Sequence, residues 1–495
     1  EFDKERSPSL IKAILKLGDK AKQRYFLAPN ITDLKNSIFT KGMDFVQVDF
    51  NTVFLEKHNL YENIGKDESL RSDVLVDILS NTEGKSLIYA GSYSAINNIS
   101  NLIIDEFEPS SSGLLRDFEK WLIENYDRNW NLTNLIKRET GIHNGQLHRS
   151  LSQIQVRLFE EEDGIKNIIS TSSIIEGVNT SAENVIIWRN KNGSSKLNDF
   201  TYRNIIGRGG RMFKHFVGKI YILDKPPEST ETQLSLDFPE ELVGDIDVDV
   251  YKQDLTDEQI AKIIAYKDEM NLILGEDNYK DLQKSGLIES SNSYLIRDIA
   301  YDLSTNKESW NGLSYLNSSN EDDWERMLYK FINLQKGGWG IEYRKFVGFV
   351  KILTSNWHST IPELLDDLDE YDIGIDKFFE LERNVTFKLT SLLNDVNVLQ
   401  KKIFDKPVDI SSFISRVSNA FLPPLVYQLE EYGLPRMLSR TIHNTGVIDL
   451  ENEEVELHDI LKEFSSLSID SRLTLNKEFN EFDRYIFKYF LEGIN

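Results

Sequence analysis

The sequence predicts an α/β fold: one lobe built on a parallel sheet, followed by a mostly α-helical region. Three observations carry this expectation. Short apolar runs alternate with amphipathic stretches up to residue 223, the pattern of strands joined by helical crossovers. Pro226-Pro227 and an acidic run to Glu258 then interrupt that pattern. Beyond the run the apolar spacing is helical almost throughout. The 495 residues suffice for two to four domains at the usual ~100–200 residues each.

Composition narrows the class. A hydrophobic content of 40% and a charged content of 28% describe a globular chain. No apolar run approaches the ~18–20 residues of a membrane span. The N-terminus shows no secretory leader pattern. There are no cysteines, which excludes disulfides and cysteine-based zinc or redox sites. A cytoplasmic location without a membrane partner is expected. The net charge of -24 argues against nucleic acid only if charge is spread evenly. It is not. Val185 to Lys219 holds eight Lys/Arg against one acid, whereas Glu228 to Glu258 holds eleven acids and one lysine.

Taken in order, residues 8–22 read as an amphipathic helix with Leu10, Ile11, Ile14, Leu15 and Leu17 apolar. Arg24 to Ile31 is a short apolar strand running into a Pro-Asn turn. Residues 45–60 read as strands, and Ser69 to Ser80 as a helix. Lys85 to Tyr93 is a strand ending in a small-residue turn, with a helix from about Ser94. Ile142-His-Asn-Gly145 precedes a helix from Leu147 to Glu161, and Ile165 to Ile169 is apolar. Asn184 to Trp188 and Lys219 to Leu223 close the strand set.

Two lookalikes carry no nucleotide chemistry. Gly84-Lys85-Ser86 ends like a P-loop, but a P-loop needs glycine where Leu79 stands, and its lysine opens a helix. Asp105-Glu-Phe-Glu108 follows a helix instead of ending a strand.

The stretch that organises the lobe is Asn204-Ile-Ile-Gly-Arg-Gly-Gly-Arg211. At a helix start, positions i and i+3 share a face, so Arg208 and Arg211 can converge on one anion. Arginine suits phosphate because its fork is planar, bidentate and permanently charged. Glycines at 207, 209 and 210 let a ligand or another backbone come close. Upstream lies Ser170-Thr-Ser-Ser-Ile-Ile-Glu-Gly-Val-Asn-Thr180, between two strand-like runs.

Together these stretches resemble motifs V and VI of superfamily-two DExH helicases, nearest the Ski-like group. Thr171, Gly177, Val178 and Asn179 match motif V. Gly207, Arg208 and the second arginine, Arg211, match motif VI, with Asn204 where the family has glutamine. Lys85 to Tyr93 resembles motif IV, His143 to Gly145 the family's segment before motif V, and Arg24 to Ile31 motif III. The resemblance implies a RecA-like lobe. Residues 1–40 would end a first lobe, 41–225 form the second, and 226–258 an acidic linker. Residues 259–320 would form a winged helix, read from Lys284-Ser-Gly-Leu-Ile288 and a strand at Ser290 to Ile296, although any helix followed by a hairpin has the same letters. Residues 321–495 would be a helical domain, with runs at Trp324–Leu334, Phe346–Leu353, Ile375–Leu399, Ile410–Tyr432 and Phe479–Leu491, whose aromatics read as core. Pro423-Pro424 marks a kink or a new helix start.

The resemblance also implies roles. Arg208 and Arg211 would be catalytic, meeting the γ-phosphate of ATP across an interface. Glu176, Gly177, Asn179, Asn204 and Gly207 would approach the nucleotide, with Glu176 coupling the two sites. Gly91, Ser92, Thr171, Ser172 and His143 would meet a nucleic-acid backbone, DNA or RNA, in a single-stranded tract; such contacts carry no base information. Cofactors would be ATP and Mg²⁺, with the lysine and the Mg²⁺-binding acid in an upstream lobe, so this stretch alone would not hydrolyse ATP. Leu429-Glu-Glu-Tyr-Gly-Leu-Pro435 in a long helical tail resembles bacterial anti-phage helicases of the Hachiman type. The other reading is a non-enzymatic, helicase-like scaffold whose acidic tail docks a partner protein.

Overall fold

The computed structural model describes the chain apart from residues 1–5, 19, 28–30, 32, 35–38, 41, 48–52, 111, 176–181, 211–216, 230–232, 235–238, 254, 357–358, 453–454, 466–470, 474–478 and 495. Six strands form the central sheet: β1 (Phe54–Asn59), β2 (Ser86–Tyr89), β3 (Thr140–His143), β4 (Asn167–Ser170), β5 (Asn184–Ile187) and β6 (Val217–Ile222). Their order is β1-β6-β5-β2-β4-β3, and every pairing is parallel. All residues of β2, β3 and β5 are buried, as expected for strands covered by helices on both faces. This is the predicted α/β lobe.

The register is tight. Tyr89 lies level with Ser170 and Ile187, and His143 with Ser170, so the strands end in one row. The crossover helices begin where their sequences provide caps. Asp67 accepts from the Leu70 N–H to start Glu68–Asn81, Ser92 from Ala95 to start Tyr93–Glu106, and Asn198 from Thr201 to start Asp199–Ile206. Asp105 and Glu106 sit in the last turn of a helix. Lys85 donates to the carbonyls of Glu161 and Ile165, both at 2.8 Å, so it tethers the start of β2.

Beyond the lobe the described chain is mostly helical, apart from a short parallel pair of Asp33–Leu34 with Gln233–Leu234. The predicted strand at Ser290 to Ile296 is a correction: Ser293–Thr305 is a helix, capped by Asn292. It packs with Asp257–Leu274 and, with Glu276–Ser285, forms a helical cluster; no strand occurs among the described residues from 259 to 320, so the wing of a winged helix is missing there. The helix start has a local cause: Asn292 Oδ1 accepts from the Leu295 N–H at 3.1 Å. Pro424 opens a new helix, Pro424–Glu431. Ile375–Arg383, a wide π turn at Asn384–Leu389 and Thr390–Ile403 run on as one central helix. Phe331, Phe349, Phe378, Phe421 and Phe490 are buried core, as the sequence implied. The N-terminal helix Arg6–Gly18 packs through Ile11 against Phe39 and Leu242, and Lys12 donates to the Ser290 carbonyl at 2.6 Å.

Within this helical region Asp395 is buried and accepts from the N–H groups of Glu289 and Ser290. Burial pushes its carboxyl up to about 7, against those hydrogen bonds; nearby Glu289 adds to the rise and Lys12 opposes it. Its proton is therefore held more tightly in the folded chain than in the unfolded one. The stability it contributes is present in full below the ordinary carboxylate range and is lost as pH rises through about 7. Asp483, pushed up to about 6 mainly by burial, acts in the same direction. We expect the melting temperature of the natural protein to fall more between about pH 5 and about pH 8 than that of Asp395→Asn. Parallel thermal scans of the two proteins check this; identical pH profiles would refute it.

Candidate functional site

Six parallel strands put all carboxyl ends on one edge and all amino ends on the other. The sequence-predicted residues divide between these edges.

At the carboxyl edge, β2 leads into Gly91, which takes φ +86, a conformation glycine adopts without strain. A Cβ there would also lie 2.8 Å from the Lys191 carbonyl oxygen. Ser92 caps the following helix, so that helix N-terminus opens at the end of β2. β2 and β5 are neighbours whose connections lead to opposite sides of the sheet, to β3 and to β6, which makes this a switch point where open α/β sheets bind ligands. The hairpin Lys191–Asn192/Ser195–Lys196 stands over it, with the Gly193 N–H donating to the Gly91 carbonyl at 2.8 Å. Both of its lysines are exposed.

Next along the edge come His143, at the end of β3, and Thr171 and Ser172, after β4. The Thr171 N–H donates to the His143 carbonyl at 3.2 Å. His143 Nδ1 lies 3.1 Å from Ser173 Oγ, which lies 3.3 Å from Thr171 Oγ1. Ser172 Oγ donates to Asn192 Oδ1 at 3.2 Å, joining this group to the hairpin. Burial lowers the His143 pKa to about 4, so the imidazole is neutral at physiological pH and serves as a hydrogen-bonding group and not as a cation. Gly91, Ser92, His143, Thr171 and Ser172 are thus brought into one row. Ser173, Asn192 and the lysine hairpin are additions that sequence reasoning missed; the basic count between Val185 and Lys219 was a signal for the two lysines alone.

Arg208 lies at the opposite edge. The expectation of a helix start there is corrected: Asp199–Ile206 ends before it, Gly207 is its C-cap, and the Arg208 N–H closes a turn onto the Ile205 carbonyl at 3.0 Å. Asn204 is in the last turn of that helix, one turn before Arg208. The Arg208 carbonyl accepts from the Ala182 N–H at 3.1 Å, and the Ala182 carbonyl accepts from the Gly210 N–H at 2.8 Å. This bridge fastens the arginine turn to the residues that enter β5. The Arg208 guanidinium is half-buried, and burial lowers its pKa, which leaves it charged at any physiological pH. Glu176, Gly177, Asn179 and Arg211 lie outside the described residues.

The glycines have separate reasons. Gly210 takes φ +77. Gly209 meets Gly218 of β6 back to back: a Cβ on Gly218 would lie 2.5 Å from the Gly209 carbonyl carbon, and one on Gly209 2.7 Å from Ile220 Cδ1. Nothing of that kind holds Gly207.

One connection joins the edges. Ser170 ends at the carboxyl row, and Asn184 begins level with Ser86 at the amino row. Thr171 and Ala182 therefore stand at opposite edges of the sheet.

No family model matches the chain. It is 32% identical over 244 residues to anti-bacteriophage protein B of Escherichia coli K12, which covers 48% of this chain and 32% of that protein. It is 27% identical over 242 residues to DNA polymerase theta of Caenorhabditis elegans, 48% of this chain and 15% of that one. It is 26% identical over 138 residues to a probable ATP-dependent helicase of Methanocaldococcus jannaschii, 26% of this chain and 17% of that one. The last of these is named as a helicase and the first as an anti-phage protein. The matched part is a third or less of each relative's length. A resemblance to the Ski-like group in particular is not resolved by them.

Among the described residues no cluster of three His, Asp or Glu side chains is placed to hold a metal ion, and no helix is long and apolar enough to cross a membrane.

The back-to-back glycines give a test. Gly218→Ala should destabilise the folded protein by roughly 1–3 kcal/mol, the usual cost of overpacking, because its new methyl group meets backbone and not a movable side chain. Urea unfolding measures this; a variant as stable as the natural protein would show that the arginine turn does not rest on β6.

Proposed function

We propose that this chain is the second RecA-like lobe and helical tail of an ATP-dependent nucleic-acid helicase or translocase, acting in anti-phage defence. The observation that carries the reading is the division of the candidate residues between the two edges of one sheet, joined by the 171–182 connection. Small hydroxyl-bearing residues and a helix N-terminus at the carboxyl edge grip the sugar-phosphate backbone of a single strand. Arg208, with Arg211, meets the nucleotide at the other edge. Charge on the transferring phosphoryl group is what such an arginine stabilises, and the gain is orders of magnitude in rate. A shift of the Arg208 turn on nucleotide binding reaches the strand grip through Ala182 and the connection before it. The likeness to an anti-bacteriophage protein and to a probable ATP-dependent helicase supports this reading.

ATP and Mg²⁺ belong to it as substrate and metal. On this reading the phosphate-cradling lysine and the Mg²⁺-binding acid are supplied by a first lobe, as the resemblance implies. The chain's own residues supply the arginines and the strand contacts.

The scaffold reading is weaker for a specific reason. A scaffold has no need of the paired arginines Arg208 and Arg211, and Asp376, Glu382, Glu430 and Asp483 of the tail already accept from Trp130, His148, Ser150 and Trp121 of the lobe.

In the full-length protein, Arg208→Ala and Arg211→Ala should each lower strand-stimulated ATP turnover by about 10²-fold or more while strand binding persists. Steady-state hydrolysis at natural rates in both variants would sink the proposal. Strand binding itself should be indifferent to base sequence and should weaken steeply with salt. Fluorescence anisotropy with two unrelated single strands, across a salt series, reads both properties; a flat salt response would count against a phosphate grip.

A further inference from the structure

Two consecutive residues of the tail reach the same loop of the lobe. Glu382 and Arg383 end the helix Ile375–Arg383. The Glu382 carboxylate lies 2.8 Å from His148 Nε2, and Arg383 Nη1 donates to the Gly145 carbonyl at 2.9 Å. That loop leads from His143, the last residue of β3, to the helix Arg149–Glu160. Inside it, Asn144 Oδ1 accepts from the N–H groups of Gln146 and Leu147 at 2.9 and 3.2 Å, so the turn moves as one piece. A Cβ on Gly145 would lie 4.0 Å from Ser173 Cβ, which places the loop directly over the residues that follow β4. The loop is held on one side by Thr171 and Ser173, through His143, and on the other by the tail.

The tail side is not a casual surface contact. Glu382 also bonds Arg436, Arg436 bonds Glu430, and Glu430 accepts from Ser150 Oγ at 2.6 Å. The chain of charges thus leaves the lobe at His148 and returns to it at Ser150. Glu382, Glu430, His148 and Ser150 are all buried. Burial alone would raise the Glu382 carboxyl, but Arg436 and His148 outweigh it and hold it down at about 2. A buried network of this kind tolerates few geometries, because each charge needs its partner in place. His148 is fixed from its other nitrogen as well, with Tyr126 Oη 3.3 Å from Nδ1.

We propose that Glu382 and Arg383 are positioning residues for the strand grip: they hold the His143–Gly145 loop over Thr171–Ser173, so the carboxyl edge keeps its shape only while the tail is docked. This rests on the reading of that edge as the nucleic-acid grip. The tail then acts on strand affinity without touching the arginine turn at the opposite edge.

The experiment uses the full-length protein and a fluorescent oligothymidylate. It measures the strand concentration that half-stimulates ATP hydrolysis, the turnover at saturating strand, and the salt dependence of strand binding. Arg383→Met keeps the apolar stem and removes the donor; Glu382→Gln keeps the shape and removes the charge. Tyr485→Phe loses a hydrogen bond to Glu161 in the same interface, 3.1 Å long, away from the loop. Arg383→Met and Glu382→Gln should raise the half-stimulating concentration roughly three- to tenfold, the range that one net hydrogen bond is worth. Saturated turnover and the salt slope should stay as in the natural protein, and Tyr485→Phe should change nothing. A salt slope shallower by about 0.7 in Arg383→Met would mean that Arg383 neutralises a phosphate itself, and would overturn the positioning role. So would unchanged half-stimulation in Arg383→Met, or an equal effect in Tyr485→Phe. If Glu382→Gln does not fold, Arg383→Met decides alone. A natural protein that binds no strand would instead overturn the function proposed above, and this inference with it.

Discussion

Parallel pairing of all six strands is the constraint on which the rest of the structure depends. It forces every connection to return from the carboxyl edge to the amino edge, and it gathers the strand ends into two separate rows. Thr171 and Ala182 are close in sequence but stand at opposite ends of the sheet for that reason. The same constraint explains the glycines. β6 can lie between β1 and β5 only if the arginine turn passes close over its start, and Gly209 against Gly218 is where that passage leaves no room for a side chain. A motif that looks from its letters like a ligand loop is, at Gly209, a packing solution first.

The second organising feature is the use of charge between lobe and tail. The chain is strongly acidic, yet several tail acids are turned inward to accept from indole, imidazole and hydroxyl donors of the lobe. Buried carboxylates are costly unless paired, so each such acid fixes where its donor must be. Leu429 to Pro435 shows this locally. Glu430 and Glu431 both reach the lobe, Gly433 takes φ +97 to turn the chain, and Pro435 caps the helix that carries Arg436. Its resemblance to a family's tail therefore falls on residues that join tail to lobe. Aromatic packing completes the interface: Phe118 and Trp121 of the lobe lie against Phe482 of the last helix.

What the sequence determined by itself was the local and periodic part. Strand and helix alternation through residue 223, the inert Gly84-Lys85-Ser86 triplet and the core phenylalanines of the tail all follow from short-range chemistry, and the structure agrees. Where short-range signals conflicted, the reading failed. Ser290 to Ile296 looks like a strand because Tyr294, Leu295 and Ile296 are β-formers, but Asn292 caps a helix whose apolar face packs on Asp257–Leu274. Arg208 was read at a helix start because i and i+3 share a helical face, whereas it follows a helix end. Only the tertiary structure decided which candidate residues meet. Strand order put Gly91 beside Lys191 and His143 beside Thr171, and pairings across hundreds of residues, such as Glu382 with His148, are set by how the tail packs and leave no spacing in the sequence to read. Periodicity reports which face of an element is buried; it is silent on which element comes to cover it.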